Sequence, residues 1–569
     1  MKAFLRTVLA VWTALFILIL LVVMIGFAMG AGDAEIQNHS WLVLDLEGEI
    51  VDYPLGGFES HFFGEMPSHT RLIENLEKAA ADNRIDGVIL RVGPSTLGPA
   101  KCEELRGAVE KVQEAGKKVH AYCDMLFNRQ YYMASVCDSI FMLPSGYFEM
   151  TGWASVRPFY KGTLDKLGIE PNVHRIEDYK SAAELVTRTE MSPESREMAT
   201  WLMDDLYEDF VSTVTSDRRM SRADFEAVME RALLTPEEAV DAGLVDRTLY
   251  WDELEEGLKR PDDDNLRTVY GGTYGKVERS EVGIEGKKIA VVHAQGMIHG
   301  GRSGMDPMLG MMMGAESVIS DLRAAMDDDE IKGVIFRVDS PGGMGYASDK
   351  IGRWVKMVET KKPVVVSMAD VAASGGYMVS HRMRPIVVSG NTITGSIGSI
   401  TGKFNMRGLY DKLGISYDFV TKGPFALIHS EYGNWTPEEA EMVADNHWKG
   451  YNDWVEDIAE HRGLTFDQVD SVARGRVWTG RQALERNLVD KLGGLDAAIA
   501  ELKRKAEIPA DEDVTIVHYP KKKSLIEAIM EGNLATLVKS SLAMRVRSYL
   551  QEWAWSAQAG WCVMPLQVQ

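Results

Sequence analysis

The residues best suited to chemistry in this chain lie around a serine set among small neighbours, Val371-Ala372-Ala373-Ser374-Gly375-Gly376-Tyr377, just after the apolar run Pro363–Met368. A strand, a tight turn, a serine and then a helical pattern expose a nucleophile. Following glycines offer unobstructed N–H groups of the kind that hold an oxyanion. The same residues also fit a packing turn in which Ser374 caps a helix, so the short motif alone assigns no reaction. A serine nucleophile needs a base. His381 follows about two helical turns later, too far for direct proton transfer, and the other histidines stay open.

The elements that must position the serine recur along the chain. Residues 41–250 and 287–505 read as two copies of one unit, joined by a charged, glycine-rich linker at 251–286. Asp86-Gly87-Val88-Ile89-Leu90-Arg91-Val92 answers Lys332-Gly333-Val334-Ile335-Phe336-Arg337-Val338 at an offset of 246 (337 − 91). Leu164-Asp165-Lys166-Leu167-Gly168-Ile169 answers Tyr410-Asp411-Lys412-Leu413-Gly414-Ile415 at the same offset (410 − 164). Apolar strands alternating with helical patterns predict an α/β fold of parallel βαβ units, covered on both faces.

The copies differ where a site would lie. The second runs from its strand into Asp339-Ser340-Pro341-Gly342-Gly343, a glycine turn at the usual ligand edge of an open α/β sheet. The first has Gly93-Pro94-Ser95-Thr96-Leu97 there, and Arg129 stands opposite Ser374. Conversely, Lys180, in Tyr179-Lys180-Ser181-Ala182, stands opposite Ala426. A random lysine is a solvated surface residue. The reciprocal loss at equivalent positions instead reads as one site divided between the copies. Burial lowers a lysine's affinity for its proton and makes it a base.

The rest of the sequence sets the surroundings. The net charge of −22 argues against a nucleic-acid partner. Residues 7–29 carry no charge and span a bilayer as a helix. Lys2 and Arg6 before this segment and Asp33 and Glu35 after it place the N-terminus (1–32) inside and the body outside. A cleaved signal peptide is the alternative, with small residues at Ala28–Ala31. Cys102, Cys123, Cys137 and Cys562 match no zinc spacing and read as buried thiols. The tail 506–569 carries an amphipathic stretch and Trp553, Trp555 and Trp561, suited to a membrane surface, a subunit contact or plain packing.

Ser340–Gly343, Ala373–Tyr377, Thr394–Gly398 and Tyr179–Ala182, followed by Met191-Ser192-Pro193, together resemble the long, two-domain form of the bacterial signal peptide peptidase A (protease IV) family. The resemblance covers roughly residues 1–505. It implies a tandem of ClpP/crotonase-like domains and a Ser–Lys dyad, with Ser374 as nucleophile and Lys180 as general base. It also implies oxyanion donors at Gly343 and Gly375 and substrate contacts at Gly342, Thr394, Gly395 and Ser396. Ser181 is the candidate orienter of the lysine. Asp339 departs from the family's usual asparagine and is expected to adjust the loop and not the reaction. No cofactor or metal is expected. The resemblance further implies a homotetramer at the bacterial inner membrane, its catalytic body periplasmic, that degrades signal-peptide remnants. A crotonase-like acyl-CoA enzyme and an inactive membrane scaffold are the competing readings.

Overall fold

The computed structural model describes residues 36–54, 66–306 and 309–521, together with Thr13. Two sheets dominate, and each is built mainly of parallel strands with an antiparallel strand at one edge. In the first, Ser40–Gly48 lies between Ile85–Ser95 and Thr268–Tyr270, and the sheet continues through Lys118–Leu126 to Ser139–Glu149. In the second, Lys287–Gln295 lies between Ile331–Ser340 and Val514–Tyr519, and the sheet continues through Val364–Ala373 to Ile393–Gly395 and Val477–Thr479. Continuous apolar runs form these strands because both faces are covered. Val364, Val366 and Met368 enter one core cluster and Val365 enters another, as alternation across a pleat requires.

Two expectations about the boundaries need correction. Residues 251–286 are no plain linker, since they hold the helix Trp251–Leu258 and the strand Thr268–Tyr270 of the first sheet. The expected tail begins with the strand Val514–Tyr519, parallel to Lys287–Gln295. These two strands stand at the repeat offset of 246 (514 − 268) and occupy equivalent places. Short strands in charged surroundings carry little periodicity, which hides them in a sequence. The expected membrane segment, residues 7–29, lies outside the described residues apart from Thr13, as do residues 522–569 and Cys562. Among the described residues no helix is long and apolar enough to cross a membrane. Cys102, Cys123 and Cys137 are buried free thiols, and burial pushes Cys102 and Cys137 up to about 12.

The copies are joined by buried charge. The Arg337 guanidinium is 1% exposed and donates to both Glu104 oxygens at 2.7 Å, to Asp52 at 3.2 Å and to Ser367 at 2.9 Å. Its repeat counterpart Arg91 stays near the surface with Asp45. Burial alone works against an ionised Asp52, but Arg337 and His293 beside it hold the carboxyl well below its usual range. Lys101 reaches Asp339 at 2.6 Å and Asp370 at 3.2 Å. Asp339 also accepts from the Val371 N–H at 3.2 Å, so this residue braces the strand that leads to Ser374.

A strand exchange brings the copies closer still. Glu170–Arg175 of the first copy pairs antiparallel with Ile400–Asn405 of the second. The helix Pro193–Arg218 then packs on the second copy's edge strand, with Trp201 stacked on Trp478 at 4.8 Å and donating to the Val477 carbonyl. Lys180 lies on the chain between these two contacts.

Candidate active site

Ser374 ends the buried strand Val364–Ala373 and begins the short helix Gly375–Met378. Its φ of 55° and ψ of −117° are strained for a residue with a Cβ, a conformation found where a side chain is held out of the regular backbone path. Its N–H is tied to the Gly395 carbonyl at 2.9 Å, and its hydroxyl is half-buried. Gly376 must lack a side chain, because a Cβ there would stand 2.6 Å from the Ser340 carbonyl oxygen. The turn therefore closes against the Ser340–Gly343 loop.

That loop supplies the second element. Gly342 has φ +107° and Gly343 φ +154°. A Cβ on Gly342 would stand 2.7 Å from the Gly375 nitrogen and 2.8 Å from the Ser374 Cβ. The Gly343 nitrogen lies 3.1 Å from where a Cβ of Gly375 would be. Among the described residues neither the Gly343 nor the Gly375 N–H donates to a backbone carbonyl. Two unclaimed donors thus flank Ser374.

Lys180 arrives from the other copy. Its Nζ stands 3.2 Å from Ser374 Oγ, 2.9 Å from the Ser396 carbonyl oxygen and 2.7 Å from Ser396 Oγ. It is 7% exposed, with no carboxylate among its recorded partners. Desolvation alone lowers it from the ordinary 10.5 to about 7. An amine with this proton affinity is substantially neutral near physiological pH.

The remaining candidates fall out differently. Ser181 does not touch the amine; its hydroxyl accepts from Arg157 at 3.2 Å. Ser396, directly after the strand Ile393–Gly395 that pairs with the Ser374 strand, makes the contact expected of Ser181. Thr394 is fully buried and donates to the Ala372 carbonyl, which makes it a brace for the Ser374 strand instead of a wall for substrate. Gly395 serves through its carbonyl on Ser374, and Gly342 through its carbonyl on the Ile298 N–H. His381 is fully buried and bonded to Asp457 at 3.0 Å and to the Met378 carbonyl, away from the serine. Arg129, the repeat counterpart of Ser374, donates to the Leu97 carbonyl. Among the described residues no cluster of three or more metal-ligating side chains occurs.

Ser374, Gly343 and Gly375 open onto a cleft of about 790 Å³ whose walls include Met378, Ile428, Met442, Val443 and Trp454. Asp349, Arg382, Asp453 and Asp457 also line the cleft, so it suits an extended ligand with apolar side chains and polar groups between them.

Known proteins match this chain along both copies. The family model described as Peptidase family S49 matches residues 111–263 and 356–509, one segment in each copy. The chain is 34% identical over 505 residues to "Serine protease SPPA, chloroplastic" of Arabidopsis thaliana, covering 88% of this chain and 74% of that protein. It is 30% identical over 550 residues to "Protease 4" of Salmonella typhi, covering 91% and 87%. With "Protease 4" of Haemophilus influenzae it shares 29% over 512 residues, covering 84% and 82%. The solved structure of a ClpP1 mutant from Listeria monocytogenes aligns with 37% of this chain and 91% of that one at 15% identity, with a TM-score of 0.23. The matched segments and the long, nearly end-to-end alignments lead to one assignment: this chain is a serine protease and belongs to peptidase family S49.

Proposed function

We propose that the chain is an endopeptidase of two ClpP/crotonase-like domains that cleaves apolar peptides, signal-peptide remnants among them, through a Ser374–Lys180 dyad. One observation carries this reading: the Lys180 amine, buried and without a carboxylate, stands 3.2 Å from Ser374 Oγ. A neutral amine has two N–H groups and one lone pair. Its neighbours here are the carbonyl and hydroxyl oxygens of Ser396 and the hydroxyl of Ser374. Two N–H groups on Ser396 leave the lone pair for the Ser374 proton, which is the arrangement a general base requires.

The reaction follows from these assignments. Lys180 Nζ takes the Ser374 Oγ proton as Oγ bonds to the peptide carbonyl carbon. The charge gathering on the carbonyl oxygen is held by the Gly343 and Gly375 N–H groups. Collapse breaks the C–N bond, and the leaving amine takes the proton from Lys180. Water then attacks the Ser374 ester, losing its proton to Lys180, and the acid leaves as Ser374 recovers its hydrogen.

The apolar walls of the cleft support apolar peptide substrates over acyl-CoA. An apolar span at residues 7–29 supports anchoring at the bacterial inner membrane with the body on the outer side. Exposed Leu413, Ile415, Tyr417, Phe419 and Val420 lie close together in sequence and support assembly into a homotetramer.

A fluorophosphonate probe tests the nucleophile. Wild-type protein is expected to take up one label, on Ser374, and Ser374→Ala none. Labelling that persists in Ser374→Ala, or an unlabelled wild type, overturns the assignment, and turnover of acyl-CoA in place of peptide favours the crotonase reading. The base is tested by pH. Because the neutral amine is the active form, kcat/KM is expected to rise with pH through about 7 and level off above it. A rate that falls across that range would exclude Lys180 as the base, and a midpoint near 10 would mean that the amine is not the neutral, buried group described here.

A further inference from the structure

The turn Ala473–Arg476, between the helix Phe466–Val472 and the strand Val477–Thr479, has contacts that converge on Lys180 and on Ser396. Gly475 sits there with φ +86°. A Cβ on Gly475 would collide with the Lys180 nitrogen and stand 2.5 Å from its Cα and 2.7 Å from its Cβ. The turn therefore lies directly on the lysine's backbone, a closeness that a hydrogen side chain alone permits. The Gly475 N–H donates to the Ile397 carbonyl at 2.7 Å, and the Arg476 carbonyl accepts from the Ser396 N–H at 2.6 Å. One short segment thus grips both the backbone of the lysine and the serine that receives its amine. The Arg476 guanidinium also lies 3.9 Å over the ring of Tyr179, the residue before Lys180, and Tyr179 is held by Glu197 at 2.7 Å.

We propose that Gly475 is a positioning residue for the hydrolytic reaction: its missing side chain lets the Ala473–Arg476 turn close on the Lys180 backbone and sets the reach of the amine to Ser374 Oγ. The inference rests on the Ser374–Lys180 reading. A lysine side chain has four rotatable bonds, so its tip is defined by what fixes its Cα and its Nζ. Here the Gly475 turn fixes the first, and Ser396, itself tied to the same turn, fixes the second. Displacement of a catalytic group by about 1 Å costs about 100-fold in rate.

The test is Gly475→Ala, compared with Gly463→Ala. Gly463 also has a left-handed φ, +68°, but a Cβ there would meet nothing within 4 Å, so it reproduces the backbone strain without the contact. Gly475→Ala is expected to lower kcat by about 100-fold with KM within about twofold. The pH midpoint of fluorophosphonate labelling should move up from about 7 as Lys180 shifts toward water. A merely structural role would lower the melting temperature and the folded fraction, while the protein that stayed folded kept its kcat and midpoint. Gly463→Ala is expected to keep the wild-type kcat, KM and midpoint. Wild-type kcat and midpoint in Gly475→Ala overturn the proposal.

Should Gly475→Ala fail to fold, Arg476→Leu tests the same clasp through Tyr179. It is expected to lower kcat by about tenfold and raise the midpoint, with Arg476→Lys recovering part of both; no change in either overturns the proposal. Lys180→Met separates the two levels of inference. If Lys180→Met is inactive and Gly475→Ala fully active, the positioning role alone is lost, whereas an active Lys180→Met removes the dyad itself.

Discussion

Replacing Lys180 with methionine is expected to lower peptide hydrolysis by at least about a thousand-fold while leaving a folded protein. Methionine nearly matches the length of the lysine stem and suits a site that is 7% exposed. Among the described residues the Lys180 amine is the base hydrogen-bonded to Ser374 Oγ, and His381 is committed to Asp457 and the Met378 carbonyl. The Gly343 and Gly375 N–H groups remain, so slow residual turnover above the uncatalysed rate is expected. Steady-state hydrolysis of an apolar peptide and a thermal melt measure the two halves of this statement. Wild-type turnover in Lys180→Met would end the dyad reading, and a melt many degrees lower would show that the lysine is a structural residue.

Arg337→Met is expected to destabilise the protein by about 3–5 kcal/mol, the usual consequence of removing one partner from a buried ion cluster. The guanidinium donates to Asp52 and Glu104 together, in a place where neither carboxylate reaches solvent. Once it is gone, Glu104 loses both guanidinium bonds and Asp52 is left with His293. Denaturant midpoints should fall, and adding Glu104→Gln should recover part of the loss, because the second change removes one of the stranded charges. Activity should fall alongside stability, since the cluster joins the copy that carries Lys180 to the copy that carries Ser374. A midpoint shift equivalent to less than about 1 kcal/mol would mean that the cluster contributes little beyond its own desolvation.

Much of this site is legible in the sequence because its chemistry is carried by residue types that one copy has and the other lacks. Ser374 against Arg129 and Lys180 against Ala426 are differences between equivalent positions, and no tertiary information is needed to see them. The glycines of the Ser340–Gly343 loop are legible for a similar reason, since left-handed backbone at Gly342 and Gly343 excludes most other residues. Ser396 and Gly475 are not legible as partners of Lys180. They meet it from the end of the Ile393–Gly395 strand and from a turn at the far end of the second copy, contacts that no local pattern encodes. Choosing Ser181 followed sequence adjacency, yet its side chain leaves Lys180 for Arg157. The resemblance gives Thr394 a substrate contact, but the residue is fully buried and donates to the Ala372 carbonyl.

The exchange of Glu170–Arg175 with Ile400–Asn405 has a consequence for how the protein comes into being. Translation delivers residue 180 long before residue 374, and the partner strand for Glu170–Arg175 later still. A nascent chain that has completed only its first half carries a lysine with no hydroxyl to activate and a strand with nothing to pair. On the Ser374–Lys180 reading, hydrolysis therefore has to wait until the second copy has been synthesised.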